Sequence, residues 1–125
     1  RFSCTVNRAF RAVIRCCAER SAGTPTWISP EIAIAYARLH ALGFGHSVEA
    51  WPADEVGRGD PAGGLYGVAL GGAFFAESMF HRRTDAGKVA LVYLGERLRR
   101  QGFILCDVQW TTANLRRFGA FDLPR

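Results

Sequence analysis

Long apolar runs are missing from this chain of 125 residues. No stretch approaches the ~20 residues a helix needs to cross a bilayer, and no charged-then-apolar leader opens the sequence. A protein free of membrane and resident in the cytoplasm is therefore the expectation. Zinc-type spacing is missing too. Cys4, Cys16, Cys17 and Cys106 form no C-x-x-C pair and have no histidine at zinc-site spacing, so no structural metal is expected. The adjacent Cys16 and Cys17 fall in a helical pattern and read as small buried residues of a reducing compartment. Acid is in deficit. Eleven Asp and Glu face sixteen Lys and Arg, a formal charge of +5, which favours an anionic partner such as nucleic acid or phosphate. Part of the excess clusters at Arg97, Arg99, Arg100, Arg116 and Arg117. Disorder is excluded by 49% hydrophobic against 22% charged residues. The length suits one domain with a single core, spanning residues 1–125. Arg1 is not a natural start, so a fragment or processed product is expected.

The punctuation predicts alternating elements. Asn7 is placed to cap a helix running to about Glu19, with Phe10, Val13, Ile14 and Cys17 on one stripe. Ser29 followed by Pro30 opens a second helix that Gly43 stops, with Ile32, Tyr36, Leu39 and His40 on its inner face. A strand is expected over His46–Trp51, then a polar Gly/Pro-rich loop. A hairpin of "LYGVAL" and "AFFAESMF" follows around Gly71-Gly72. Asp85 is positioned to cap a third helix to about Gln101, with Val89, Val92 and Leu94 or Leu98 inward. "FILCDVQ" reads as a buried strand, and Thr111 or Thr112 as the cap of a short last helix closed by Gly119. The order α, α, β, β, β, α, β, α implies an α/β layer fold with a mixed sheet.

Two of these strands carry polar groups after apolar runs. Glu77 follows Phe74 and Phe75, and Asp107 and Gln109 follow Ile104 and Leu105. A carboxylate in an apolar strand is costly unless paired, hydrogen-bonded or functional. Asp107 and Gln109 share one face of a strand of period two. An acid beside an amide can hold a nucleophilic amine and a carbonyl without an acid–base histidine. For each polar residue taken singly, an ordinary strand-end hydrogen bond remains the competing reading.

"TWISPEIAIAYARLHALGFGHSVEAW", "GGLYGVALGGAFFAESMF" and "DVQ" followed by "LRRFGAFDLPR" resemble, in order and spacing, the C-terminal domain of the leucyl/phenylalanyl-tRNA–protein transferase family. The resemblance covers nearly the whole chain. It implies a GNAT-like acyltransferase fold, a central mixed sheet flanked by helices. It also implies transfer of Leu, Phe or Met from aminoacyl-tRNA to the N-terminal Lys or Arg of a protein, which marks that protein for degradation. No cofactor, no metal, no membrane and a monomeric state are implied. By position it casts Asp107 and Gln109 as the groups that orient the attacking amine and accept its proton. Glu77 would sit near the donor's amino group, and Trp27 and Tyr36 at the terminal adenosine. Leu65, Phe74, Met79, Leu91, Leu94 and Cys106 would line the pocket for the donor side chain. An indole is a sequence-blind base platform, and Met and aromatic walls favour an unbranched or aromatic guest.

The chain departs from the family pattern at His81, Gly87, Val108 and Asn114, and at Arg117-Phe118. It also starts after the Trp-rich N-terminal domain the family carries. Two alternatives stay open: an acyl-CoA transferase on the same fold, for which "RRTDAGK" is a poor pyrophosphate loop, and a non-catalytic tRNA-binding module using Arg99, Arg100, Arg116 and Arg117.

Overall fold

The computed structural model describes residues 1–19 and 28–108. In chain order its elements are β1 (Phe2–Val6), α1 (Phe10–Glu19), α2 (Pro30–Ala41), β2 (Gly45–Pro52), β3 (Gly63–Leu70), β4 (Ala73–His81), α3 (Ala86–Arg100) and β5 (Leu105–Val108). The five strands form one sheet in the order β1-β2-β3-β4-β5. The first three pairings are antiparallel, and β5 joins β4 in parallel after the α3 crossover. The mixed sheet flanked by helices is as the sequence predicts. β1 is not foreseen by it: these five half-buried residues acquire their pattern only by pairing Phe2 with Pro52 through Val6 with Val48. The last expected helix, like Trp27 and Gln109, lies outside the described residues. Among the described residues no helix is long and apolar enough to cross a membrane.

Each face of the sheet has its own core. Val48, Ala50, Leu65, Phe74 and Ala76 pack against Ala86, Ala90, Leu94 and Leu98 of α3. Tyr66 and Phe80 pack on the other side against Phe10, Val13, Ile14, Cys16 and Cys17 of α1, with Ile32, Ala33 and Tyr36 of α2 partly buried beside them. The α3 stripe is small at its start because Gly63 runs directly beneath. A side chain on Gly63 would lie 2.7 Å from the Ala86 backbone. Val92, expected inward, is 43% exposed, since the stripe through Ala90, Leu94 and Leu98 turns it to solvent.

The capping expectations divide. Ser29 caps α2 as read, accepting from the Ile32 N–H at 3.2 Å with Pro30 in the first turn. Asn7 does not cap α1. It sits at φ 59 and its side-chain oxygen accepts from the Ser47 N–H, stitching the β1 exit to β2. The group that receives α1 is Glu49, fully buried on β2. Its carboxylate accepts from the backbone N–H groups of Arg8 and Ala9, from the Thr5 hydroxyl at 2.5 Å and from the Ser47 hydroxyl. The Trp51 indole donates to Thr5 and completes the set. Negative charge at a helix start is also favoured by the helix dipole. Asp85 stands at the α3 cap position in a left-handed conformation and makes no side-chain cap bond; it pairs instead with Lys88 at 3.7 Å.

Orphaning several buried donors costs ~1–3 kcal/mol each. Glu49→Ala is therefore expected to lower the unfolding free energy by about 3 kcal/mol or more, and Glu49→Gln by less because its amide keeps an acceptor. Urea denaturation of both variants measures the difference; equal stability of Glu49→Ala and the parent chain would remove Glu49 from this role.

Candidate active site

The hairpin of β3 and β4 is irregular at one point. Tyr66 pairs with Ser78 and Gly67 with Ala76, so the strand register skips Glu77. This is a β-bulge, a device that re-aims side chains. Gly67 makes it possible. A side chain there would lie 2.3 Å from the Phe75 carbonyl oxygen and 2.7 Å from the Phe74 ring, closer than any other residue allows. The bulge answers why an apolar strand tolerates a carboxylate: Glu77 is the extra residue that strand pairing does not use.

Glu77 faces an open hollow of about 540 Å³ between α2 and the hairpin, lined also by Ile32, Tyr36, Leu39, Val68 and Phe75. Among the described residues it is the one carboxylate in an otherwise apolar and phenolic lining. The Tyr36 hydroxyl hydrogen-bonds Glu77, and its phenol is pushed up to about 12, first by burial and then by the Glu77 charge and that hydrogen bond. Tyr36 is itself held in place. Its ring meets Tyr66 edge-on with centroids 5.1 Å apart, Tyr66 meets Phe10 edge-on at 6.1 Å, and Phe10 stacks on His40 at 4.2 Å.

Parallel pairing sets Asp107 beside Phe75 and Cys106 beside Phe74. Neighbours across a sheet share a face, so Asp107 stands on the side of the hollow, exposed, one strand over from β4. The expected apolar pocket residues lie on the opposite side of the hairpin. Leu65, Phe74 and Leu94 are buried in the core under α3, with Met79 and Leu91 packed against it. Cys106 shares that side by register and is exposed. The structure thus brings Tyr36 and Glu77 into contact and sets Asp107 nearby, and it gathers the apolar set behind the sheet. The walls of the hollow itself, Ile32, Leu39, Val68 and Phe75, were not singled out as site residues by the sequence. The i, i+4, i+7 spacing of Ile32, Tyr36 and Leu39 was the available signal, since it marks one helix face.

The family model for leucyl/phenylalanyl-tRNA protein transferase matches residues 1–125. The chain belongs to that family. Proteins of that name from Aromatoleum aromaticum and Magnetococcus marinus are 56% and 51% identical to it over 100% and 99% of its length. The chain spans about half the length of these relatives, 51% and 53% respectively. One from Akkermansia muciniphila is 50% identical over 98% of the chain and 61% of its own length. Solved structures place the fold among the acetyltransferases. A probable acetyltransferase superposes with a TM-score of 0.69 at 8% identity, covering 100% of this chain and 91% of its own. An aminoglycoside acetyltransferase from a soil metagenome, solved with sisomicin, reaches 0.66 at 13% identity over 94% of this chain and 84% of its own. A GNAT-family structure from Desulfovibrio desulfuricans reaches 0.60 at 18% identity, with 94% and 81% covered. At such identities these likenesses describe the fold alone.

The raised phenol of Tyr36 has a signed consequence. Between the ordinary tyrosine value near 10 and about 12, the unfolded chain binds fewer protons than the folded one. Stability from this source is full below pH ~10 and is lost as pH rises through the folded value. Denaturation across that alkaline range should show a steeper loss for the parent chain than for Tyr36→Phe; parallel curves would dissolve the Tyr36–Glu77 coupling. Overpacking a site with no room costs ~1–3 kcal/mol, so Gly67→Ala should destabilise by that order and move Glu77. Backbone amide chemical shifts around residue 77 would report the movement, and unchanged shifts would contradict it.

Proposed function

We propose that this chain is the catalytic half of an aminoacyl-tRNA–protein transferase. It would move Leu, Phe or Met from aminoacyl-tRNA to the N-terminal Lys or Arg of an acceptor protein. The observation that carries the reading is the carboxylate of Glu77, presented by a bulge into an apolar hollow and hydrogen-bonded to Tyr36, in a member of this family. The aminoacyl ester is already activated. Positioning and charge stabilisation can therefore supply much of the rate.

In the proposed reaction the acceptor's α-amine attacks the ester carbonyl carbon. A carbon–nitrogen bond forms, the ester carbon–oxygen bond breaks, and the proton released by the amine ends on the 3′-terminal ribose oxygen of the tRNA. Asp107 takes that proton in passage, Gln109 orients the amine, and Glu77 holds the donor's ammonium group. Tyr36 and Trp27 seat the terminal adenosine. The donor side chain hangs from the same carbon as that ammonium and so takes the apolar walls beside Glu77, Ile32, Leu39, Val68 and Phe75, in place of the expected set Leu65, Phe74, Met79, Leu91, Leu94 and Cys106, which lies across the sheet. A new N-terminal Leu or Phe would mark the acceptor for degradation. Aminoacyl-tRNA is a cytoplasmic substrate, which sets the compartment of the reading, and the reaction needs only a monomer. An acyl-CoA donor fits less well. A pyrophosphate at the head of α3 would meet the Asp85 carboxylate at the cap position.

Transfer of radiolabelled Leu from Leu-tRNA to a peptide with N-terminal Arg tests the reading, with a full-length relative as the active control. No label transferred by this chain would reject the activity for it. Loss of a positioned acid or base typically costs ~10²–10⁴ in rate. Glu77→Gln and Asp107→Asn should each slow transfer by about 10²-fold or more while keeping the circular dichroism of the parent; undiminished rates would withdraw the roles assigned to them.

A further inference from the structure

A second hollow lies on the other flank of α2. It measures about 480 Å³ and runs between α1 and α2, with Ile14, Ala33, Ile34, Ala37 and Ala41 as its floor and Arg11 and Arg38 at its sides. The floor is aliphatic, and Ile34 within it is 57% exposed. Among the described residues no carboxylate lines it. Among the described residues neither Arg11 nor Arg38 holds an ion pair. Nearby arginines behave differently. Arg15 grips Asp60 with two hydrogen bonds of 2.6 and 3.0 Å, and Arg82 reaches the same carboxylate at 3.2 Å. That grip, the Arg15 hydrogen bond above all, holds the Asp60 carboxyl below its ordinary range. Arg15 and Arg82 thus share two acids, Asp60 and, at 3.9 and 3.8 Å, Glu19, while Arg11 and Arg38 face an open groove.

We infer that this groove is a second seat for the tRNA strand, with Arg11 and Arg38 on its phosphates and the aliphatic floor under its riboses and bases. The inference rests on the aminoacyl-tRNA reading above. α2 separates the two hollows: Ile32, Ala35, Tyr36 and Leu39 turn to the first, and Ala33, Ile34, Ala37, Arg38 and Ala41 to the second. A helix with its side chains is ~10–12 Å across, and a nucleic-acid strand advances ~3.4 Å or more per nucleotide. A strand whose end sits at Tyr36 and Glu77 therefore crosses α2 and enters the groove within a few nucleotides. A polyanion complements a groove that, among the described residues, holds two guanidiniums without an ion pair and no acid, and the net charge of +5 draws it the same way.

The experiment is binding of deacylated tRNA to the chain by fluorescence anisotropy at several salt concentrations. Each phosphate contact to a single strand contributes ~0.7 to the slope of log K against log salt. Replacing both arginines, R11A with R38A, should lower the slope by about 1.4 and weaken binding most at low salt, and the R11K/R38K pair should keep most of the slope. An unchanged slope in R11A/R38A, or no tRNA binding by the parent chain, overturns the inference. Arginine-dependent capture of a poly-glutamate peptide without such dependence for tRNA would hand the groove to an acidic protein segment and overturn it equally. The transfer assay is read separately. Absent transfer with an arginine-dependent slope retires the catalytic reading and leaves the groove standing.

Discussion

A carboxylate shut off from water sits where the first strand, the second strand and the first helix meet. Glu49 is tolerated there because four donors converge on it, two from the backbone entering α1 and two hydroxyls from β1 and β2. A buried charge without such partners would cost several kcal/mol, on the order of the ~5–15 kcal/mol that holds a domain together. The arrangement fixes the direction in which α1 leaves the sheet. Phe10, the first residue of α1, then arrives against both His40 of α2 and Tyr66 of β3. The placement of α2, and with it of Tyr36, follows from that contact.

The candidate site therefore hangs between two anchors. On one side is the chain of rings that begins at α1 and ends at Tyr36. On the other is the bulge, which sets Glu77 outside the hairpin's register and depends on the missing side chain at Gly67, where the backbone and the Phe74 ring leave no room for one. Together they decide that a phenol and a carboxylate meet in an apolar hollow. α2 has no fully buried residue of its own. It works as a wall, with one flank toward Glu77 and the other toward the groove of Arg11 and Arg38. Such a helix can make contact with a long ligand on both sides without unpacking a core.

The elements with strong local signals were legible in advance. Ser29-Pro30 opens α2 because a hydroxyl cap and a fixed φ need no help from afar. Gly71 turns the hairpin at φ 59, a conformation glycine adopts without strain. The stripe of Phe10, Val13, Ile14 and Cys17 is buried as periodicity implies. Asn7 and Val92 depart from the local reading for one shared reason. Cap residues and helix faces are ambiguous locally, and distant partners choose among the options: Ser47 for Asn7 and the sheet beneath α3 for Val92. Asp85 departs through a near neighbour, pairing with Lys88 three residues on.

By itself, the sequence determined the kind of protein this is: an α/β domain with a short polar vocabulary inside apolar strands, in an order and spacing shared with one family. Those properties are local or read along the chain, so they survive without coordinates. Only the tertiary structure decided that Glu77 is a bulge residue, that it meets Tyr36, and that the apolar set around Leu65 and Phe74 lies on the other side of the hairpin. Strand register decides these facts. A single extra residue exchanges the two faces of a sheet, and nothing in a period-two pattern announces where that residue falls.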